Sequence, residues 1–239
     1  MNGRSVQQIL AAAVSTVADE AVSVHAAGRT DAGVHATGQV VHFDTDAVRS
    51  SRQWCLGINS NLPPDVAARW VKQVDASFDA RRSALSRRYR YQILISETRP
   101  ALARRAAWWL REALDMGALT AAAVACLGEH DFSTFRAANC QSHTPHRHVS
   151  RIDVLRDGPL VALEFTANAF LYHMVRNLVG SLVAVGHAKA EPGWMAELLL
   201  RRDRRLAAAT APAAGLSLIE VRYPERYGLP IPSSVRLSM

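Results

Sequence analysis

The chain carries the segment GRTDAGVH at residues Gly28–His35, between two apolar runs at Val22–Ala26 and Gln39–Phe43. The apolar runs predict two short strands, and the glycines between them predict a tight loop. This loop presents one carboxylate, Asp31, two residues after the cation Arg29. A nearby positive charge favours the ionised carboxylate, which can act as a nucleophile or a general base. Aspartate and glycine are also ordinary turn residues, and these eight residues alone favour a purely structural turn.

The composition is that of a globular protein with an acidic partner. Of the 239 residues, 49% are hydrophobic and 21% are charged, which provides a core for one large domain or two small ones. The formal net charge of +7 indicates an anionic partner. Nucleic acid is the usual partner of such a chain, and an anionic membrane surface is the alternative.

The cysteines and the apolar stretches indicate a cytoplasmic protein. Cys55, Cys126 and Cys140 are widely separated and form no CxxC pair, which fits a reducing compartment better than a disulfide framework. The first residues lack the basic segment and apolar run of a signal peptide. The longest apolar-rich stretch, residues 169–186, is interrupted by polar and charged side chains, so we predict no membrane-spanning helix.

Strands in hairpins, interspersed with helices, predict an α+β fold with mixed or antiparallel sheets flanked by helices. Apolar residues at helical spacing predict a first helix after Ser5, which resembles the start of a capping box with Gln8. We expect an N-terminal α/β subdomain at residues 1–80, carrying the Asp31 loop, and a C-terminal α/β subdomain at residues 81–239. The central cleft between them is the expected catalytic site. Further predicted helices are 52–57, 102–114, 115–127, 170–185 and 195–200, and further strands are 67–74, 87–95, 149–155, 160–166 and 216–221.

The predicted strand Arg87–Ile95 begins with the sequence RRYRY, which interleaves basic and aromatic side chains. Arginines bind phosphates and tyrosines stack on unpaired bases, so this pattern suits single-stranded or looped RNA. The alternative is an edge strand with an aromatic face in the core and an arginine face in water. Without other evidence the strand slightly favours this alternative.

Two further segments carry reactive or charged side chains. Residues Cys140–His148 hold a cysteine and three histidines, which are zinc-ligand types, but these are crowded into one segment with Arg147 between two of the histidines. We therefore interpret this segment as a basic surface loop and predict no metal. Arg176 interrupts an apolar helical stretch, where a buried guanidinium needs a carboxylate partner, and Asp31 is a candidate.

Several motifs, in this order along most of the chain, resemble the signature of the tRNA pseudouridine synthase A family. The segment around Asp31, with Gln39 and Val40, is the most specific of them. The others are Asn61–Pro63, Phe78–Arg81, Arg88–Tyr91, Asp131–Arg136, Asn168–Phe170 and His173–Gly180.

The resemblance implies an enzyme that isomerises uridine to pseudouridine at positions 38 to 40 in the anticodon stem-loop of tRNA. It implies a pseudouridine synthase fold of two subdomains, a homodimer, and no cofactor or metal. Asp31 matches the family's nucleophile, and Tyr89 matches the tyrosine that stacks on the target uracil. Arg176 matches the basic residue that pairs with the aspartate, and Arg29 matches a residue that supports the flipped-out nucleotide.

The start of the chain departs from the family pattern. Family members begin with a strand and a Tyr-x-Gly-Trp-Gln-type segment before the first helix, whereas this sequence begins at Met1, almost at that helix. The missing strand is expected to leave unpaired edges in the first subdomain's sheet. An alternative reading is therefore a catalytically inactive tRNA-binding protein or chaperone.

Overall fold

The computed structural model describes residues 5–230 of the chain. The first four residues, at which the sequence departs from the family pattern, lie outside the described residues. The helices are α1 (Val6–Ala18), α2 (Ser51–Asn61), α3 (Met116–Val124), α4 (Met174–Gly186) and α5 (Trp194–Arg201). The strands are β1 (His25–Ala26), β2 (His35–Ala36), β3 (Val41–His42), β4 (Ser86–Ile95), β5 (Trp108–Leu110), β6 (Gly128–Asp131), β7 (His146–Asp157), β8 (Leu160–Ala167) and β9 (Leu216–Arg222).

Two compact units make up the described part of the chain, and each is assembled from separate segments. The first unit comprises residues 5–29, 39–84 and 223–230, and the second comprises residues 30–38 and 85–222. The segment that contains Asp31 therefore packs with the second unit, although the strands on either side of it belong to the first.

The first unit is built on α1 and α2. Their buried faces meet around Val14, Trp54 and Ile58. Strands β1 and β3 pair antiparallel, as the two apolar runs predict, but each is only two residues long. The predicted capping box at Ser5 is wrong, because the Ser5 side chain makes no capping hydrogen bond. The complete box lies instead at the start of α2, where Ser50 and Gln53 bond to each other's backbone.

The second unit is a mixed seven-stranded sheet with helices against one face. The strand order is β2-β9-β4-β8-β7-β6, and β5 pairs with β4. Strands β2 and β5 run parallel to their partners and the other pairs are antiparallel, which confirms the predicted α+β class. The predicted hairpin is also confirmed: β7 and β8 are joined at Gly158, whose φ of +56° is favourable for glycine.

Helix α4 lies at the centre of the core of this unit. Its buried residues Leu178 and Leu182 belong to one cluster with Tyr91, Ile93 and Phe165 of the sheet. Helices α3 and α5 complete this cluster through their own buried leucines. The predicted apolar helix at residues 170–185 is thus confirmed as the core helix, beginning four residues later than predicted.

Two predicted elements are wrong. Residues 102–114 form a short helical turn at Ala103–Arg105 and then β5, because extended Trp108 packs edge-on against Tyr91 at a ring separation of 6.2 Å. Residues 67–74 form no strand in the described structure. The Asn59 side chain instead bonds both backbone groups of Ala68 at 2.8 Å, in the manner of a strand partner.

Gly180 marks a close contact between α4 and the loop that follows α5. A Cβ atom at Gly180 would lie 2.1 Å from the carbonyl oxygen of Ala209, which is backbone and cannot move aside cheaply. We expect Gly180→Ala to lower the free energy of unfolding by roughly 1–3 kcal/mol, as overpacking does. Gly193→Ala is the matched control, because no atom lies within 4 Å of its Cβ position. Urea unfolding of both variants measures the difference, and equal midpoints would contradict this packing.

Candidate active site

The loop that carries Asp31 is fixed to strand β9. The amide of Val34 donates to the Asp31 carbonyl at 3.0 Å, and Gly33 takes the left-handed φ of +83° that completes the turn. The amide of Gly38 donates to the carbonyl of Leu218 at 3.1 Å, just after β2 pairs with β9. A Cβ at Gly38 would lie 2.2 Å from a β9 carbonyl, so only glycine permits this close approach.

The carboxylate of Asp31 binds two side chains from the start of α4. Arg176 donates from Nη1 to Oδ2 at 2.8 Å, and His173 Nε2 lies 3.1 Å from the same oxygen. The exposed fractions of the three side chains are 20% for Asp31, 14% for Arg176 and 23% for His173. The Oδ1 atom accepts no hydrogen bond within the second unit as described, so this oxygen is the free one.

Arg176 is itself held by the backbone of the loop before β9. Its Nε donates to the carbonyl of Ala211 at 2.8 Å, and the amide of Ala211 donates to the Arg176 carbonyl at 3.1 Å. The guanidinium is therefore oriented by a fixed acceptor on one side and by Asp31 on the other. Because the planar guanidinium donates to Asp31 and Ala211 at the same time, it fixes the position of the Asp31 carboxylate.

His173 is a partner of Asp31 that the sequence analysis did not identify. Its backbone has a φ of +61°, which is uncommon for a residue with a side chain and is often found at functional sites. Burial lowers the pKa of His173, and the charge of Asp31 opposes this shift only in part. At 3.1 Å from Oδ2, Nε2 of His173 is placed to donate to Asp31. His173 stands immediately before α4 and three residues before Arg176, and this short spacing from the predicted partner of Asp31 is the signal that could have found it.

Tyr89 and Tyr91 lie on the same face of β4 but have different surroundings. The Tyr91 ring is fully buried, and its hydroxyl donates to the carbonyl of Pro212 at 2.8 Å. Tyr89 is half-buried, packs edge-on against Phe170 at 5.1 Å, and makes no hydroxyl hydrogen bond to a described residue. Burial, with a smaller contribution from the charge of Asp31, raises the pKa of Tyr89 to about 12. Tyr89 is thus an uncharged aromatic ring whose hydroxyl is influenced by the charge of Asp31.

Two of the three arginines of the RRYRY segment, Arg88 and Arg90, are paired with carboxylates. Arg90 binds Glu164 with Nη2 and Oε1 2.6 Å apart, and both side chains are buried. The Nε atom of Arg88 lies 3.3 Å from Oε2 of Glu220. The interpretation of an edge strand with a solvated arginine face is therefore wrong, since β4 is a central strand with partners on both sides. These two arginines stabilise the sheet and are not free for phosphates.

Arg29, the fourth predicted site residue, belongs to the first unit and is exposed. The backbone around it is held by hydrogen bonds within that unit. The Gln39 side chain donates to the Gly28 carbonyl at 2.7 Å, and the amide of Ala27 donates to the carbonyl of Val40 at 2.9 Å.

The segment Cys140–His148 does not form a metal centre in the described structure. Among residues 5–230, no three histidine, cysteine or acidic side chains converge on a common point. Cys140 accepts a hydrogen bond at Sγ from the amide of Tyr172, and Arg147 folds back to the carbonyl of Thr144 at 2.9 Å. Within the same described range, no helix is both long and apolar enough to cross a membrane.

Comparison with known proteins shows the family of this chain. The sequence model of a family described as tRNA pseudouridine synthase matches residues 1–81 and 122–224. The tRNA pseudouridine synthase A of Aeromonas hydrophila subsp. hydrophila is 55% identical over 226 residues, which is 95% of this chain and 84% of the relative. The enzymes of the same name from Escherichia coli (strain K12) and Salmonella paratyphi B are each 54% identical over 229 residues, or 96% of this chain and 85% of theirs. The chain therefore belongs to the tRNA pseudouridine synthase family.

Proposed function

We propose that this tRNA pseudouridine synthase acts on uridines at positions 38 to 40 of the anticodon stem-loop, with Asp31 as its nucleophile. The observation that carries the proposal is the Asp31 carboxylate, which is bound at Oδ2 by Arg176 and His173 while Oδ1 accepts nothing within the second unit as described. Such an arrangement fixes one oxygen and leaves the other to attack.

The reaction needs a nucleophile that can hold and then release one part of the substrate. The N1–C1′ bond of uridine breaks, the C5–C1′ bond forms, and the proton lost from C5 is matched by one gained at N1. A carboxylate that adds to the sugar or to the pyrimidine ring holds an adduct while the base turns. Arg176 and His173, which both contact Oδ2, orient that carboxylate.

The target base must leave its stack before Asp31 can reach it. Unstacking costs a few kcal/mol, and an aromatic platform offsets part of this cost. We assign that platform to Tyr89, which is influenced by the charge of Asp31 and whose hydroxyl has no hydrogen-bond partner among the described residues. Arg29, exposed two residues before Asp31, is assigned to support the flipped-out nucleotide, as the resemblance implies.

Tyr89→Ala is expected to slow isomerisation by about 10- to 100-fold, which corresponds to the loss of one stacking contact of about 1–3 kcal/mol. The Kd for tRNA is expected to change little, because phosphate contacts dominate the affinity. Tyr89→Phe keeps the ring and is expected to retain most of the rate. Single-turnover kinetics and a binding titration on each variant measure the two effects, and an equal loss of rate and affinity in Tyr89→Ala would argue against the stacking role.

The alternative of a catalytically inactive tRNA-binding protein or chaperone is not favoured. Relatives at 54–55% identity are named as synthases, and the chain retains Asp31 in contact with Arg176. From the resemblance we further propose a cytoplasmic homodimer with subdomains at residues 1–80 and 81–239, without cofactor or metal. Light scattering of the purified chain tests the dimer.

The location of the modified uridines is tested with two transcripts of one unmodified tRNA. One keeps its uridines at positions 38 to 40, and the other carries cytidines there. Pseudouridine is expected in the first transcript alone. Equal product from both transcripts would overturn the anticodon assignment while leaving the chemistry of Asp31 in place.

A further inference from the structure

A group of exposed arginines surrounds a concavity in the second unit, apart from the residues that contact Asp31. The concavity has a volume of about 350 Å³. We call it the basic concavity and define it by its lining residues Arg99, Pro100, Arg104, Arg105, Ala107 and Trp109.

The backbone that carries these side chains is fixed. The helical turn Ala103–Arg105 is anchored by Ala103 and Ala107, which form a small buried cluster with Leu94 and Leu160. Trp109 lies in β5, which pairs with β4, and its indole Nε1 donates to the carbonyl of Ser96 at 2.9 Å. The arginines therefore project from a rigid base and not from a loose loop.

The three arginines of the basic concavity have no anionic partner in the described structure. Arg99, Arg104 and Arg105 are exposed and form no ion pair with a described residue. Arg88 and Arg90 of the neighbouring strand, in contrast, are compensated by buried glutamates. Three uncompensated guanidinium groups around one concavity are suited to phosphate, which accepts the paired donors of arginine.

The basic concavity is joined to the Asp31 loop by a hydrogen bond. His35 Nε2 lies 2.5 Å from the carbonyl oxygen of Arg105. His35 follows Asp31 by four residues, so their Cα atoms are at most about 14 Å apart. One strand of a DNA duplex carries a phosphate about every 3.4 Å along the helix axis, and an RNA strand likewise advances by a few ångströms per nucleotide. A strand bound at Asp31 thus reaches the basic concavity within a few nucleotides.

We propose that the basic concavity is a second contact surface for the tRNA substrate, which binds backbone phosphates a few nucleotides from the target uridine. This inference rests on the proposed function, since it takes RNA as the ligand of the adjoining site. RNA is favoured over an acidic protein because the chain has a net charge of +7 and its family acts on tRNA. The surface lies in residues 99–109, outside the two stretches that the family model matches.

The test is the double variant Arg104→Ala/Arg105→Ala, measured with a short anticodon stem-loop RNA and with the whole unmodified tRNA. We expect the Kd for both RNAs to rise about 5- to 10-fold at low salt. The slope of log Kd against log salt is expected to fall by about 1 to 2, because each lost phosphate contact removes roughly 0.7–0.9 from it. The rate constant at saturating enzyme is expected to stay within about twofold, because these arginines touch no reacting atom.

The controls separate a specific contact from a general change in charge. Arg52→Ala/Arg156→Ala removes two exposed arginines elsewhere and is expected to change the Kd by less than about twofold. Arg104→Lys/Arg105→Lys keeps the charge but not the paired donors, and is expected to restore the salt slope and only part of the affinity. Thermal unfolding of all variants is expected to match the wild type, since the replaced side chains are exposed.

Three outcomes would overturn the inference: an unchanged Kd and salt slope in the Arg104/Arg105 variant, an equal loss in the Arg52/Arg156 control, or a loss with whole tRNA but not with the stem-loop. If the wild type binds RNA but makes no pseudouridine, the proposed function fails. The binding comparison still decides on the basic concavity in that case.

Discussion

Arg176→Met is expected to slow pseudouridine formation on the order of 100-fold or more. The substitution removes the guanidinium, which donates to Asp31 Oδ2 at 2.8 Å and to the Ala211 carbonyl at 2.8 Å. The carboxylate then loses the contact that orients it. Displacement of a reacting group by about 1 Å is enough for a loss of this size. The free energy of unfolding is expected to fall by about 1.5–3 kcal/mol, the cost of a lost hydrogen bond to a charged partner.

Arg176→Lys is the matched control for that prediction. Lysine keeps the positive charge but cannot present two donors in a plane to Asp31 and Ala211 at the same time. We expect a rate between those of the wild type and the methionine variant. Single-turnover rates and urea unfolding measure both effects, and a methionine variant with full activity would show that the ion pair has no part in the reaction.

Asp31→Asn is expected to reduce the rate on the order of 10,000-fold or more, the scale seen when a nucleophile is removed. Asparagine has nearly the same shape and can still accept a hydrogen bond from Arg176, so the loop is expected to remain folded. An amide oxygen is a far weaker nucleophile than a carboxylate, which removes the covalent step. The Kd for tRNA is expected to stay within about threefold, because it depends mainly on phosphate contacts.

Asp44→Asn is the control for the change of charge. Asp44 is exposed in the first unit, and the same substitution there is expected to leave rate and affinity near those of the wild type. Initial rates of pseudouridine formation and a binding titration on both variants test the pair. A similar rate loss in the two variants would mean that charge, and not the nucleophile, is responsible.

Local sequence patterns predicted the parts of the fold that depend on local interactions. The turn at Gly158 was predicted from an Asp-Gly pair between two strands, and α4 from a long apolar stretch. The pairing of Arg176 with Asp31 could be proposed because a buried cation needs a carboxylate. His173 was missed because its partner lies 142 positions earlier in the chain, and only its short spacing from Arg176 connects the two.

The remaining errors concern features set by distant parts of the chain. Glu164, the partner of Arg90, is 74 positions away, so the strand alone gave no sign that this arginine is buried and paired. Residues 102–114 have a helical composition, but pairing of Trp108 with Ile93 overrides this preference. The Asn59 side chain makes the two backbone hydrogen bonds to Ala68 that a neighbouring strand would otherwise make. The spacing of apolar residues at 67–74 gives no sign of such a side-chain partner.

The central claim is that the Asp31 carboxylate isomerises uridine in the anticodon arm of tRNA. The most direct measurement maps pseudouridine at single-nucleotide resolution in one unmodified tRNA, after incubation with an excess of the wild type or of Asp31→Asn. The expected result is pseudouridine within positions 38 to 40 for the wild type and none for the variant, although both bind the tRNA. Product formed by Asp31→Asn at those positions, or no product with the wild type, would contradict the claim.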